Sequence, residues 1–304
     1  MKKFILKLVL FSSPFAIWFS IVAWIDPFNF FNNKSKEEIQ AREDKIRPLN
    51  SMLFNMIQYK HNPTEVIFIG DSRTRIVSDS LYHSLTNLST FNLYSNRAKL
   101  NEMIDLFWYA ESFQKLKKVY IGVNFNLFNT YAFGARSKSN SEICNSSLKY
   151  ITNRAVGEAT GIMLNLVSLA PEKKPNQIEF WKYNIEEKSA DFYSKYGFPS
   201  EAVSQLSEIA KHCKIHNIDL TFVVLPHAEP MRKKVLYYNL TNQEAVFKST
   251  ICEIATTIDY DYENAVTCDT TNFGDPIHFK KHIGELIAKE LATKDYQIGK
   301  ALKN

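Results

Sequence analysis

Val66-Ile67-Phe68-Ile69-Gly70-Asp71-Ser72-Arg73 is the stretch that decides how this chain folds. Four apolar residues in a row, three of them β-branched, lie between Pro63 and Gly70. A strand wetted on one side alternates apolar with polar, whereas a strand covered on both sides reads as an unbroken apolar run. The segment is therefore expected to be an inner strand of a sheet with helices on both faces. Its carboxyl end, where ligands gather in open α/β sheets, carries a serine.

Working outward, the same alternation repeats. A second strand is expected at Thr90–Tyr94, then a helix with Leu100, Met103, Ile104, Phe107 and Trp108 at helical spacing. A third strand follows at Val119–Val123 and a fourth at Leu220–Leu225, stopped by Pro226 and preceded by a helix presenting Val203, Leu206, Ala210 and Cys213. A last helix after His278 carries Ile283, Leu286, Ile287 and Leu291 on one stripe. Strands separated by helices imply crossovers, so the expected fold class is α/β, a parallel sheet in a three-layer α/β/α arrangement. Residues 129–197 break this rhythm. One helix is expected there, Ser147–Leu169, followed by an aromatic-rich segment from Phe180 to Tyr196 that either stacks on sugar rings or packs the insertion onto its domain. As an insertion over the strand ends, this region is a candidate lid or substrate platform.

The N-terminus reads differently. Lys2, Lys3 and Lys7 precede an uncharged, mostly apolar run from Leu8 to Ile25 that ends at Asp26-Pro27. With Lys7 snorkelling to the interface, that length matches a hydrocarbon core of about 30 Å. Lysines before the run and mixed charges after it favour a cytoplasmic N-terminus and an exported body, a single-pass inner-membrane protein with its domain on the periplasmic side. A cleavable signal peptide fits less well, because no small-x-small site follows. The expected organisation is a transmembrane signal anchor at 1–25, a stalk at 26–62 and an α/β domain at 63–304.

Composition narrows the partners. The 304 residues are 45% hydrophobic with a net charge of +5 spread along the chain, and no basic run suggests nucleic acid. The four cysteines form no C-x-x-C pair, so neither metal nor other cofactor is expected. Cys213 and His216 share a suggestive spacing, but Cys213 falls on an apolar stripe and reads as a buried thiol. Outside the cytoplasm, one or two disulfides would be possible.

The residues that carry chemistry lie far apart in sequence. A serine hydroxyl is a weak nucleophile unless a base takes its proton and a carboxylate holds that base in the right tautomer. Asp275-Pro276-Ile277-His278 supplies both partners for Ser72 in one short segment, with Gly274 letting the loop turn. Gly122-Val123-Asn124 ends the third strand, and the Asn124 amide could donate to a developing oxyanion beside the Ser72 backbone N–H. Each has a plainer alternative: Ser72 as a helix cap, Asn124 as a polar strand end with Asn126 taking its role. Arg73 and Arg75 are candidates to attract an acidic glycan or to be solvated or salt-bridged. His227, after the fourth strand, either lines the site or is a surface-loop histidine.

Gly70-Asp71-Ser72, Gly122-x-Asn124 and Asp275-x-x-His278, in that order, resemble blocks I, III and V of the SGNH/GDSL hydrolase superfamily over roughly residues 64–292. The resemblance implies a flavodoxin-like α/β/α fold and a Ser-His-Asp triad. The family's second block normally supplies a glycine whose N–H completes the oxyanion hole; here Asn92-Leu93-Tyr94-Ser95-Asn96-Arg97-Ala98 places Asn96 or Arg97 at that position. If φ is positive there, arginine is strained and asparagine less so. The anchor makes the layout similar to membrane-tethered SGNH proteins that work with membrane-bound O-acyltransferases on bacterial surface polysaccharides. That likeness implies an esterase or O-acyltransferase, usually acetyl, acting on an extracytoplasmic carbohydrate. The alternative it leaves is a catalytically silent SGNH-like scaffold or glycan-binding module partnering such an acyltransferase.

Overall fold

Strand β1, Val66–Gly70, is buried at all five positions. It pairs in parallel with β2, Thr90–Tyr94, on one side and β3, Lys118–Gly122, on the other. β3 pairs with β4, Asp219–Val224, and β4 with β5, Thr256–Asp259, all parallel; β6, Lys300–Leu302, closes the edge antiparallel to β5. The order β2-β1-β3-β4-β5-β6 puts β1 inside the sheet, as its unbroken apolar run requires. This is the expected α/β class, with one correction: the sheet is mixed, because β6 runs antiparallel. β5 and β6 were too short for any periodicity to announce them.

The computed structural model describes residues 1–167 and 176–302. The chain divides into two units, Met1–His61 with Lys138–Glu172 and Asn62–Ser137 with Lys173–Asn304, and the sheet belongs to the second. Alternation along the strands builds its two cores. Val66, Phe68, Tyr120, Val223 and Ile258 face one way, into a cluster with Tyr82 and with Ile283, Ile287 and Leu291 of the helix Lys281–Thr293. Phe68 stacks on Tyr120 at 4.7 Å, and Tyr82 meets both rings edge-on. The Tyr120 hydroxyl donates to the Leu291 carbonyl at 3.1 Å, tying the sheet to that helix. Ile67, Ile69, Val119, Ile121 and Phe222 are buried on the other face, where the helices Leu100–Glu111, Ser200–His216 and Thr241–Ile254 pack. Full burial of each such side chain contributes about 1.5–3 kcal/mol before entropy is counted.

In the first unit, the helix Lys2–Ile25 is long and apolar enough to cross a membrane and is exposed along nearly its whole length. It ends at Asp26 in the left-handed conformation (φ 48°), whose carboxylate accepts the Phe30 and Phe31 N–H groups at 2.8 and 3.0 Å and the Tyr150 hydroxyl at 2.7 Å. The stretch expected to be a stalk is folded instead. Helices span Lys36–Ile46 and Ser51–His61, and every residue from Ser51 to Tyr59 is buried. The physical reason is composition: Met52, Leu53, Phe54, Met56, Ile57 and Tyr59 would leave too much apolar surface in water on an extended linker.

The expected insertion at 129–197 is not a single piece. The helix foreseen at Ser147–Leu169 is two, Ser147–Ile151 and Arg154–Met163, broken where the Asn153 side chain caps the second; Leu169 lies outside the described residues. The aromatic segment packs rather than standing open. Tyr193 is buried, stacked on Phe125 at 5.9 Å and near Tyr238, and the Trp181 indole N–H donates to the Gly274 carbonyl at 3.2 Å.

Gly284 shows how closely the last helix approaches. A Cβ there would lie 1.9 Å from the Ile76 carbonyl oxygen, a backbone atom that cannot swing aside. Gly284→Ala is expected to cost about 1–3 kcal/mol through overpacking. Urea unfolding of the purified variant checks it, and an unchanged midpoint would mean the helix does not sit this close.

Candidate active site

β1 delivers Gly70 to the sheet's carboxyl edge, and the chain then turns through Asp71-Ser72-Arg73. Gly70 is required by a close approach: a Cβ would lie 1.8 Å from the Thr74 Oγ1 of the following turn. Ser72 remains partly exposed between two buried neighbours, Asp71 and Arg73.

Far along the chain, Phe273 and Phe279 form an antiparallel bridge, and the Gly274 N–H donates to the His278 carbonyl at 2.9 Å. Asp275-Pro276-Ile277-His278 is the tip of this small hairpin. Asp275 Oδ1 accepts the Ile277 and His278 N–H groups at 2.8 and 3.1 Å, which fixes the turn and aims Oδ2 at the imidazole. Oδ2 lies 2.7 Å from His278 Nδ1, and His278 Nε2 lies 2.7 Å from Ser72 Oγ. A carboxylate only accepts, so Nδ1 carries the proton and Nε2 is free to accept from the serine hydroxyl. Burial pushes the Asp275 carboxyl up, but the hydrogen bonds from the His278 ring and the two backbone N–H groups hold it below its ordinary value. The His278 side chain keeps 35% of its surface exposed, leaving its proton-accepting edge within reach of a substrate.

The structure thus brings Ser72, His278 and Asp275 together. It places other expected residues differently. Arg73 has no exposed surface and faces no ligand. Its Nε reaches both Asp71 carboxylate oxygens at 3.1 Å, Nη2 reaches Asp71 Oδ2 at 2.6 Å and Asn126 Oδ1 at 3.4 Å, and Nη1 donates to His227 Nε2 at 2.6 Å. Of the readings open to Arg73, the structure shows the salt-bridged one, sealed from solvent. His227 is likewise buried rather than on a surface loop, with Nδ1 2.7 Å from Asp261 Oδ2. Arginine cannot accept, so Nε2 does, and His227 is the neutral tautomer protonated at Nδ1. Arg75 is exposed and remains available to a ligand.

The Asn124 side chain pairs with the backbone of Leu225: Nδ2 donates to its carbonyl at 2.6 Å, and Oδ1 accepts its N–H at 3.2 Å. One amide hydrogen is spent on this pairing; the other has no acceptor among the described residues. In the loop after β2, the Ala98 N–H donates to the Ser95 carbonyl at 3.0 Å, making a four-residue turn with Arg97 third. Arg97 has φ 58°, the left-handed conformation that position demands in a type II turn. Of the two residues, Arg97 takes the left-handed place, and Asn96 precedes it. Neither the Arg97 N–H nor the Ser72 N–H has an acceptor among the described residues.

Sequence reasoning missed the carboxylates behind Arg73 and His227. Asp71 is held below its ordinary value by the Arg73 guanidinium despite complete burial, which alone would raise it. Burial also acts to raise Asp261, but His227, Lys248 and Arg232 bring it down to about 2. The available signal was Asp259-Tyr260-Asp261 at a strand's carboxyl end, unused because β5 itself went unread. Among the described residues, no group of three or more acidic, histidine or cysteine side chains could hold a metal, and none of the four cysteines is in a disulfide.

No protein-family model and no curated protein matches the chain. Solved structures do resemble it. A Streptococcus pneumoniae protein described as a platelet activating factor matches at 11% identity and TM-score 0.43, covering 86% of this chain and 99% of its own. A Bacteroides fragilis protein described as an acylhydrolase matches at 11% and TM-score 0.41, covering 78% and 93%. The C-terminal catalytic domain of Streptococcus pneumoniae peptidoglycan O-acetyltransferase A, holding a methylsulfonyl adduct, matches at 11% and TM-score 0.37, covering 80% and 99%. At such distances the site's chemistry has to be read from its own atoms.

Asp261 provides a pH test of the buried network. Its carboxyl is depressed in the folded state, so its contribution is complete above the unfolded value of 3.8 and is lost as pH falls toward about 2. At roughly 1.4 kcal/mol per unit, that contribution is at most about 2–3 kcal/mol. The stability gap between the native protein and Asp261→Asn should therefore be widest at neutral pH and shrink between pH 4 and 2. Urea titrations across that range measure it, and a gap that ignores pH contradicts the assignment.

Proposed function

We propose that this chain is a serine-dependent esterase or O-acyltransferase of the SGNH type, with Ser72 as nucleophile, His278 as base and Asp275 as its orienting partner. The observation that carries this is the unbroken relay from Ser72 Oγ through His278 to Asp275, two contacts of 2.7 Å at the carboxyl edge of a sheet. The Ser72 hydroxyl would give its proton to His278 Nε2 as its oxygen attacks an acyl carbonyl carbon. The tetrahedral oxyanion would be met by the N–H groups of Ser72 and Arg97 and the second amide hydrogen of Asn124. Collapse would expel the alcohol, which takes the proton from His278, and leave an acyl group on Ser72. A second hydroxyl, from water in an esterase or from an acceptor in a transferase, would then remove it by the same steps in reverse.

The substrate class rests on the sequence resemblance together with the N-terminal helix. An apolar helix of this length supports a membrane anchor, and a membrane-tethered SGNH protein points to an extracytoplasmic carbohydrate, with acetyl as the acyl group and a membrane-bound O-acyltransferase as partner. Exposed Arg75 is the remaining candidate to greet an acidic glycan.

A fluorophosphonate probe tests the chemistry directly. It should label the full-length protein at Ser72 and fail on Ser72→Ala. Asp275→Asn should slow turnover of an aryl acetate about 10³- to 10⁴-fold through the wrong imidazole tautomer. Absence of labelling under conditions that label a control serine hydrolase, with surface modification intact in cells carrying Ser72→Ala, would leave a silent scaffold instead. Mass analysis of the surface polysaccharide with and without the protein identifies the acyl group.

A further inference from the structure

The strained residue of the second loop is not left to hold itself. Arg136, at the start of the helix Arg136–Cys144, donates from Nη1 to the Asn96 carbonyl at 3.0 Å and from Nη2 to the Arg97 carbonyl at 3.1 Å. The same guanidinium is gripped from behind by Glu102: Nε to Oε1 at 3.1 Å and Nη2 to Oε2 at 2.7 Å, with the Arg136 backbone N–H on Oε1 at 2.9 Å. Glu102 has no exposed surface, and its Oε2 also accepts the Lys99 N–H at 3.1 Å, at the start of the helix that leaves this loop. Gly134 makes the approach possible, since a Cβ there would lie 2.3 Å from the Glu102 carboxyl carbon.

We infer that Arg136 is a positioning residue for the oxyanion hole, clamping the Ser95–Ala98 turn so that an arginine can occupy the left-handed place and keep the Arg97 N–H presented. This rests on the serine-dependent reading above. Left-handed backbone is unfavourable for a non-glycine residue, so the turn would otherwise relax toward φ below zero and carry the N–H with it. In a planar trans peptide, the Asn96 carbonyl and the Arg97 N–H point opposite ways. Holding the carbonyl on Arg136 therefore turns the N–H away from the guanidinium. The loop is adjacent to the nucleophile by strand register: Tyr94 pairs with Gly70, and the Ser95 N–H donates to the Gly70 carbonyl at 3.0 Å. A planar fork suits this task in a way an ammonium does not, because one group must reach two carbonyls and a carboxylate at once.

The test uses full-length protein and an aryl acetate. Arg136→Lys keeps a positive charge near buried Glu102 but cannot span both carbonyls. Its kcat should fall roughly 10- to 100-fold, a fraction of what losing an oxyanion donor costs, with KM within about twofold, as expected of an interaction made only in the transition state. The decisive measurement is a double-mutant cycle with Arg97→Gly, since glycine takes φ above zero without help. In the Arg97→Gly background the same Arg136→Lys change should cost less than about threefold in kcat, a coupling that general loosening of the fold would not produce. If Arg136→Lys does not fold, Arg136→Gln with Glu102→Gln removes the pair without stranding a buried charge, and the same cycle applies. A folded Arg136→Lys with unchanged kcat, or an equal loss with glycine at 97, overturns the inference. Native protein that neither labels at Ser72 nor turns over the ester overturns the underlying reading instead, and the inference with it.

Discussion

A guanidinium with no access to water is the constraint on which the site depends. Burying Arg73 would be prohibitive unless its charge and donors were met, because an unpaired buried charge costs several kcal/mol. The fold meets them with groups from separate strand ends: Asp71 after β1, Asn126 after β3 and His227 after β4. His227 passes the demand on to Asp261 after β5, which Lys248 and Arg232 also approach. The network thus stitches four parallel strands together at their carboxyl edge. Ser72 sits between Asp71 and Arg73, so the backbone that carries the hydroxyl cannot move without breaking the best-connected charge in the domain.

The second half of the site is held by local rather than long-range order. Asp275 divides its two oxygens: one organises the hairpin tip through two backbone N–H groups, and the other orients His278. Trp181 secures the hairpin's base through the Gly274 carbonyl. The proton relay is therefore a meeting of two independently rigid pieces, one anchored in a buried ion network and one in a self-bonded turn. In the proposed reaction, such preorganisation would let the pocket stabilise a developing charge without reorganising.

Much of this was legible in the residues themselves. The apolar run before Ser72 fixed its place inside the sheet, and the three-residue spacing of Asp275 and His278 allowed one short loop to hold both. Where reading failed, the cause was physical. β5 and β6 are too short to show a period. The 51–59 segment, read as part of a stalk, is buried throughout, since burial depends on neighbours as well as on pattern. Arg73 stayed open between a glycan contact and a salt bridge, and His227 between the site and a surface loop, because charge in a sequence carries no record of which carboxylates will fold against it.

From sequence alone came the candidate set Ser72, His278 and Asp275, the strand that presents the serine, and the apolar N-terminal helix, because each of those segments carries its signal in neighbouring residues. Only the tertiary structure decided that Arg73 is sealed inside, that Arg97 rather than Asn96 takes the left-handed place, and that Arg136, paired with Glu102, bonds the carbonyls of Asn96 and Arg97. Those outcomes depend on partners tens to hundreds of residues away. Electrostatic and hydrogen-bond energies fall steeply with distance in space, and distance along the chain does not report it.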